Sequence, residues 1–398
     1  MQKILIINSG WEQVDLIKTA KKMGLYIIAT DACRDAPGFL LADETAVVEP
    51  RDIVNLFNLA FDNKIDAVVA DQCDYSYYAA AYIAERLGLP GSGLVAAQNT
   101  TNKKWMREAC EKSGIKQPGY IPCKTLFDVK RAVEKFSFPC IVKPVDNRGN
   151  FGVNRVDEMA QVESAYYEAI ACSYARECLV EEFIEGTMIT VDGFAFGEGV
   201  HRSLAVASKV MLGGRKRVAM EIMYPARLPT NAIKRLQENH TRVATALGIR
   251  TGCTHGEYMI TDDGEIYLIE CANRGGGCYT SSRIVPAVSG YDLSELLIFT
   301  ALGKQVAPAP DAEEMKAASV LSFFKLSPGK ILSIENEDRI CADEDVLAFR
   351  LAVKPGDSVE SITNDANRHG FVITRGSSLE AAFEKAQISK EMLVVRYE

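Results

Sequence analysis

Residues 254–271 read THGEYMITDDGEIYLIEC, and the way this segment pairs with itself decides how the middle of the chain is built. Asp263-Gly264 is the dipeptide that a two-residue type I′ turn prefers, because both positions need positive φ. With that turn Asp262 faces Glu265, and counting back rung by rung puts Glu257 directly opposite Glu270. Opposed carboxylates at about 5 Å between Cβ atoms repel. They are therefore either exposed to water or separated by a cation. Hard oxygen ligands in that arrangement suit Mg²⁺, which is usually held by one or two carboxylates plus substrate phosphates. The hairpin suggests a metal-nucleotide site, with a solvated acidic face as the alternative.

The run that follows, Ile269-Glu270-Cys271-Ala272-Asn273-Arg274-Gly275-Gly276-Gly277, sets an arginine four residues after the second carboxylate and then three glycines. Glycines let backbone N–H groups approach an anion, and the planar guanidinium suits phosphate or carboxylate oxygens. The alternative is a surface turn with a stray arginine.

Working outward, a chain of 398 residues is too long for one simple core and reads as two or three domains. Its net charge of -8 and the lack of a standout basic run argue against nucleic acid or an anionic membrane as partner. No apolar stretch approaches the length of a membrane span, and Met1-Gln2-Lys3 leads straight into a strand rather than a signal peptide, so a cytoplasmic protein is expected. The 11 cysteines are scattered without metal-site or redox spacing, which fits free thiols in a reducing compartment. Cys271 and Cys278 flank the glycine run; they are expected to be small packing residues, with a nucleophile as the alternative for Cys278.

The first hundred residues alternate strand and helix. Strands are expected at 3–8, 25–30 and 66–70, with helices at 12–23, 52–63 and 76–87, a doubly wound parallel-sheet unit. Asn8-Ser9-Gly10-Trp11 lacks the G-x-G-x-x-G pattern, so neither NAD nor FAD is expected. A ligand would sit at the carboxyl ends of the strands, near Ser9, Gly10, Asp31, Gln72 and Asp74. After Leu89-Pro90-Gly91 a helix starts at Asn102-Lys103, and from Tyr120 the pattern becomes α+β. There Lys143 ends the apolar strand 138–144, where burial is costly unless an anion meets it, and the donor-rich loop 146–152 follows.

Asn102-Lys103 with Met106, Val142-Lys143-Pro144, residues 180–186 (VEEFIEG), Glu257, and Ile269-Glu270 with Arg274-Gly275-Gly276 resemble, in order, the motifs of the ATP-grasp superfamily over the whole chain. Within it the chain is most similar to bacterial L-amino acid ligases and the carbamoyl-phosphate-synthetase-like carboxylate-amine ligases. The resemblance implies ATP with Mg²⁺, Mn²⁺ being an allowed substitute, and small-molecule carboxylate and amine substrates. It implies that Lys103 and Lys143 hold phosphates, that the loop from Asn147 through Gly149 to Gly152 covers them, and that the backbone of Glu181, Glu182 and Phe183 bonds adenine. Glu257 and Glu270 match the metal ligands, and Arg274 matches the catalytic arginine at the transferring phosphate.

Two positions depart from the family. Ala272 stands where an asparagine ligand is common, leaving Asn273 as the candidate third ligand. Met188 stands where a glutamate often bonds the ribose, leaving either Glu185 as a substitute or a ribose held by other groups. The resemblance places Lys209, Arg215 of the basic turn 213–217, His255 and the glycines Gly275, Gly276 and Gly277 on the substrate side, with a solvated loop as the alternative for the basic turn. Three parts are expected: 1–100, an ATP-grasp part 101–305 whose nucleotide-covering portion spans about 115–186, and a β-rich lid domain 306–398 in which nothing proposes chemistry. A homodimer is compatible with this reading. The expected reaction is carboxylate-amine ligation through an acyl phosphate, releasing ADP and phosphate. The alternatives are a carboxylase or formate-activating enzyme of the purine-pathway type, and a silent ATP-binding protein.

Overall fold

Strand Lys3–Ile7 is apolar at every position after the first because both of its faces are covered. Ile4 and Ile6 pack with Leu16, Ile17 and Ala20 of helix Val14–Lys22. Leu5 and Ile7 meet Leu56 and Ala60 of helix Ile53–Asn63 and Ala79 and Ile83 of helix Asp74–Leu87. In the computed structural model, which describes residues 1–213, 218–309 and 315–398, this strand is central to a four-stranded parallel sheet. The sheet order is Glu44–Val47, Tyr26–Asp31, Lys3–Ile7, Ala67–Val69. This is the expected doubly wound unit with one added edge strand. Glu44–Val47 alternates between half-buried and exposed positions and offers no apolar run to read.

A second sheet of four antiparallel strands runs Tyr120–Cys123, Cys178–Glu182, Cys140–Pro144, Asn154–Val156. Helices Leu126–Phe136 and Val162–Ala171 cover one side of it, through Val129, Val133, Val162 and Ala169. The third sheet has eight strands in the order Ile266–Ala272, Thr251–Ile260, Thr187–Gly197, Val200–Met211, Ala219–Tyr224, Ala318–Phe323, Gly370–Gly376, Val346–Leu351, antiparallel throughout.

The last three strands of this sheet come from beyond residue 306, the part expected as a separate lid, yet they continue the central sheet. The join is made by Tyr224↔Ser319 and Met223↔Val320. Helix Leu379–Met392, capped by Ser378, packs Ala382 and Ala386 on the strands Ala318–Phe323 and Gly370–Gly376. Among the described residues no single helix is long and apolar enough to cross a membrane.

Candidate active site

The hairpin forms, but not through the turn its sequence suggests. Of the loop residues only Gly264 has positive φ, at 81°, so Asp263-Gly264 cannot be a type I′ pair. Thr261 instead faces Glu265, its N–H donating to the Glu265 carbonyl at 3.0 Å, and Gly264 N–H donates to the Thr261 carbonyl at 2.8 Å. Asp262, Asp263 and Gly264 make a three-residue loop with glycine in the left-handed position. That loop alone would set Glu257 against Ile269. A bulge at Ile269 then adds one residue, and Glu257 faces Glu270 after all. The Ile269 carbonyl accepts Arg107 Nη2 at 2.8 Å.

Each of the two carboxylates is met by a lysine. Lys103 Nζ lies 2.9 Å from Glu270 Oε1 and donates to the Asn147 carbonyl at 2.8 Å; Lys209 Nζ is paired with Glu257. Burial pushes the Glu257 carboxyl up, but Lys209, His255 and Arg274 outweigh it and hold it at about 2. Glu257 is therefore anionic at neutral pH. A divalent cation fits this donor set, two hard carboxylates already neutralised by monovalent charge. Among the described residues no third Asp, Glu, His or Cys joins them as a metal cluster, so remaining ligands would come from substrate phosphates and water.

Deeper in, Glu181 is 3 % exposed and serves two cations, Arg107 Nε at 2.9 Å and Lys143 Nζ at 2.6 Å. One carboxylate against two cations leaves a surplus positive charge, which an anionic ligand can satisfy. Burial brings the Lys143 ammonium down to about 8 despite Glu181. Backbone geometry was expected to matter more than side-chain identity over 181–183; at Glu181 the side chain also organises the cluster. Arg107 was not anticipated. It follows Lys103 by one helical turn on helix Lys103–Lys112, where Lys103, Met106, Arg107 and Cys110 form the buried face, and a basic residue on that face was the available signal.

Glu257, Glu270, their lysines, Glu181 and Lys143 line one cavity of about 220 Å³, against about 50 Å³ for the other notable cavity. Its wall includes Lys103, Lys143, Gly149, Glu181, Glu182, Phe183, Met188, Lys209, His255, Glu257, Glu270 and Arg274, with Ile141, Met211, Met259 and Ile269 as an apolar side. Arg274 makes a bidentate contact to Asp74, Nε–Oδ1 2.9 Å and Nη2–Oδ2 3.1 Å. His255 Nδ1 lies 2.7 Å from Asp192 Oδ1, whose other oxygen accepts from Tyr224 OH at 2.7 Å.

Several expected residues have other employment. Asn273 alternates away from Glu270, Ala272 and Arg274. Its Nδ2 donates to the Thr251 and Cys253 carbonyls at 3.1 and 2.8 Å, and its Oδ1 is taken by Tyr77 OH. It faces the smaller cavity and is not a third metal ligand. The Gly275 N–H donates to Asp71 Oδ1 at 2.6 Å, and Cys278 N–H donates to Glu12 Oε1 at 2.6 Å. The N–H groups of Gly275 and of Cys278, just after the run, are thus taken by carboxylates of the N-terminal unit. Gly276 lies against His255, where a Cβ would come within 2.8 Å of Nδ1, and Gly277 lies against Glu12.

Glu185 is exposed and outside the cavity wall, whereas Met188 lines it. Asn147 uses its side chain on Tyr75 OH and the Cys172 carbonyl, and Gly152 packs against Cys172, so the loop reaches the cavity through Gly149 and Asn150 instead. Asp31 accepts from the N–H groups of Ser9 at 2.9 Å and Cys33 at 2.8 Å, tying the ends of two neighbouring strands, and neither it, Ser9 nor Gly10 lines the cavity. Gln72 and Asp74 do face the 274–279 segment. Arg215 lies outside the described residues. Asp71, Glu12, Asp192 and the tail residue Asp365, which also lines the cavity, were not legible beforehand.

Residues 136–282 match the ATP-grasp domain family and residues 322–398 match L-amino acid ligase C-terminal domain 2. A formate-dependent phosphoribosylglycinamide formyltransferase of Bacteroides fragilis is 27% identical over 97% of this chain and 98% of its own. An alanine–anticapsin ligase of Bacillus subtilis is 27% identical over 58% of this chain and 53% of its own. Among solved structures, an L-amino acid ligase from Bacillus licheniformis superposes with a TM-score of 0.85 at 21% identity, covering 100% of this chain and 99% of that one. N5-carboxyaminoimidazole ribonucleotide synthetase from Thermotoga maritima gives 0.74 at 22% identity with both chains fully covered (100%). At these identities the structural likeness shows a shared fold.

Proposed function

We propose that this chain, which belongs to the ATP-grasp superfamily, is a carboxylate-amine ligase that activates its carboxylate as an acyl phosphate. The observation that carries the reading is the opposed Glu257–Glu270 pair, each member neutralised by a lysine, in the same cavity as Lys143 and Arg274. Such a pair with surplus cations beside it suits a metal-bound polyphosphate better than any neutral ligand.

The apolar side of the cavity, Ile141, Met211, Met259 and Ile269, suits a flat base, with the 181–183 strand at its edge. Lys103 and Lys143 then lie toward the phosphates. Glu257 and Glu270 would hold Mg²⁺, which would supply charge neutralisation to the polyphosphate. A carboxylate oxygen attacks the γ-phosphorus, the bond from that phosphorus to the bridging oxygen breaks, and ADP leaves. The amine then attacks the acyl carbon, phosphate departs and the nitrogen gives up a proton. Arg274, fixed by Asp74, presents its charge to the phosphoryl group in transfer, where charge develops.

The tail match to L-amino acid ligases favours an amide- or peptide-forming member. The near full-length likeness to a formate-dependent formyltransferase favours formate as an alternative carboxylate. An ADP-release screen with pooled amino acids, other carboxylates including formate, and amines separates the two. Glu270→Gln should remain folded and abolish carboxylate-dependent ADP release. Full turnover by a folded Glu270→Gln protein would refute the metal assignment.

A further inference from the structure

The tail beyond residue 306 reaches the cavity through one short turn, Asp365–Asn367. That turn is rigidly built. Asn364 Oδ1 accepts the N–H groups of Ala366 and Asn367 at 2.9 and 3.1 Å, and Asn367 Oδ1 accepts those of Thr363 and Asn364 at 3.0 Å each. Arg368 anchors it to the central sheet, donating from Nη1 to the Ala219 carbonyl at 3.0 Å with its guanidinium 3.7 Å from the Phe323 ring centre. Asp365 N–H donates to Asn150 Oδ1 at 3.0 Å, so the tail clasps the glycine loop. The Asp365 carboxylate, 30% exposed, shares the cavity wall with Lys209 and Glu257 and pairs with Arg368 Nη2 at 3.2 Å.

Charge balance gives this arrangement a consequence. In the structure Lys209 neutralises Glu257, and the lysine side chain is only 9% exposed. A divalent cation arriving at Glu257 brings two positive charges and repels the ammonium beside it. A lysine left unpaired in a confined cavity is costly, so it needs another carboxylate. Asp365 is on the same wall, and its partner Arg368 already holds two backbone carbonyls, those of Ala219 and of Asp365 itself at 3.0 Å each, and does not depend on that carboxylate alone. Burial raises the Asp365 carboxyl, while Arg368 and Lys209 draw it down and Glu257 raises it, which places it within electrostatic reach of both members of the pair.

We propose that Asp365 is a positioning residue of the nucleotide site: its carboxylate takes up Lys209 when a divalent cation replaces that lysine at Glu257, while its backbone N–H holds the glycine loop over the bound phosphates. This rests on the reading of Glu257 and Glu270 as metal ligands. It makes the tail a part of the site, coupling metal loading to the loop that covers the nucleotide.

The test is a double-mutant cycle read by Mn²⁺ binding in electron paramagnetic resonance, on the full chain saturated with a non-hydrolysable ATP analogue. Asp365→Asn keeps the shape and the backbone N–H and removes the charge; Lys209→Met removes the displaced cation. Asp365→Asn should weaken Mn²⁺ binding on the order of tenfold in the wild-type background and leave it unchanged in the Lys209→Met background. Asp365→Glu should recover most of the loss, which a merely structural role would not predict. Equal weakening in both backgrounds, or none in either, would overturn the proposal while leaving the metal site intact. Failure of the wild-type complex to bind Mn²⁺ at all would instead remove the metal reading, and the proposal with it.

Discussion

Replacing Glu181 by glutamine should cost this protein about 3 kcal/mol of stability, the lower end of the range for removing one partner of a buried charge pair. The side chain keeps its volume, so no cavity forms. What disappears is the charge shared by Arg107 Nε at 2.9 Å and Lys143 Nζ at 2.6 Å, at a site 3 % exposed. Two cations would then stand in a buried pocket without that carboxylate. Arg107 cannot shed its charge, but Lys143 can. It already titrates near 8, and loss of Glu181 takes away the largest influence raising it. Deprotonation of Lys143 near pH 7 relieves part of the penalty, which is why the lower end of the range applies. Urea unfolding of wild type and Glu181→Gln at pH 7 should show a lower midpoint with the same slope. A second variant, Glu181→Gln with Arg107→Met, should recover part of the loss, since apolar replacement of a buried ion pair is often tolerated. A loss below about 1 kcal/mol, the value typical of exposed pairs, would mean that water reaches the cluster and that the reasoning about its burial is wrong.

The same lysine predicts a pH effect on nucleotide use. With the Lys143 ammonium near 8, kcat/KM for ATP should fall as pH rises through that value and the charge is lost, and Lys143→Arg should carry the plateau to higher pH; an unchanged profile in Lys143→Arg would refute the assignment. Beneath the hairpin, His201 and His240 both bond Thr254 Oγ1 at 2.9 Å, and His240 also meets Tyr258 OH at 2.7 Å. Burial lowers both imidazoles, His201 to about 4, so between an unfolded value near 6.5 and the folded ones the unfolded chain binds more protons. Stability should therefore fall as pH drops below about 6.5, and His201→Gln should flatten that slope in denaturant unfolding. Tyr75→Phe removes the hydroxyl that holds Asn147, from a ring stacked on Arg51 at 3.4 Å, and should make the 147–152 loop more protease-sensitive without nucleotide.

How much of this was readable beforehand varied with how local the physics is. Periodicity located most helices, and Asn102, Asp52 and Ser378 capped them as side-chain acceptors do. The opposition of Glu257 and Glu270 was reached by a register that contained two compensating differences, a loop one residue longer at Asp262–Gly264 and a bulge at Ile269. A bulge has no local sequence signature here, because it is held by Arg107 from another element. Asn273 illustrates the same limit. Strand alternation alone would have turned it away from Glu270, but the displaced asparagine invited the opposite reading. The glycine run shows that donor-rich backbone is not necessarily an open anion site, since Asp71 and Glu12 reach it from far away in sequence. Asp365 enters the cavity because the tail strands extend the central sheet, a long-range pairing that composition near residue 306 does not reveal.

Carboxylate activation is the claim on which the account stands, and transfer of oxygen tests it most directly. Once the ADP-release screen has identified the carboxylate, that substrate is supplied with both oxygens as ¹⁸O, and the released phosphate is examined by ³¹P NMR or mass spectrometry. Attack of the carboxylate on the γ-phosphorus followed by displacement of phosphate from the acyl carbon places one ¹⁸O in each phosphate released. Phosphate without label, with the departing heavy oxygen found in water instead, would show that no acyl phosphate forms and would contradict the ligase mechanism.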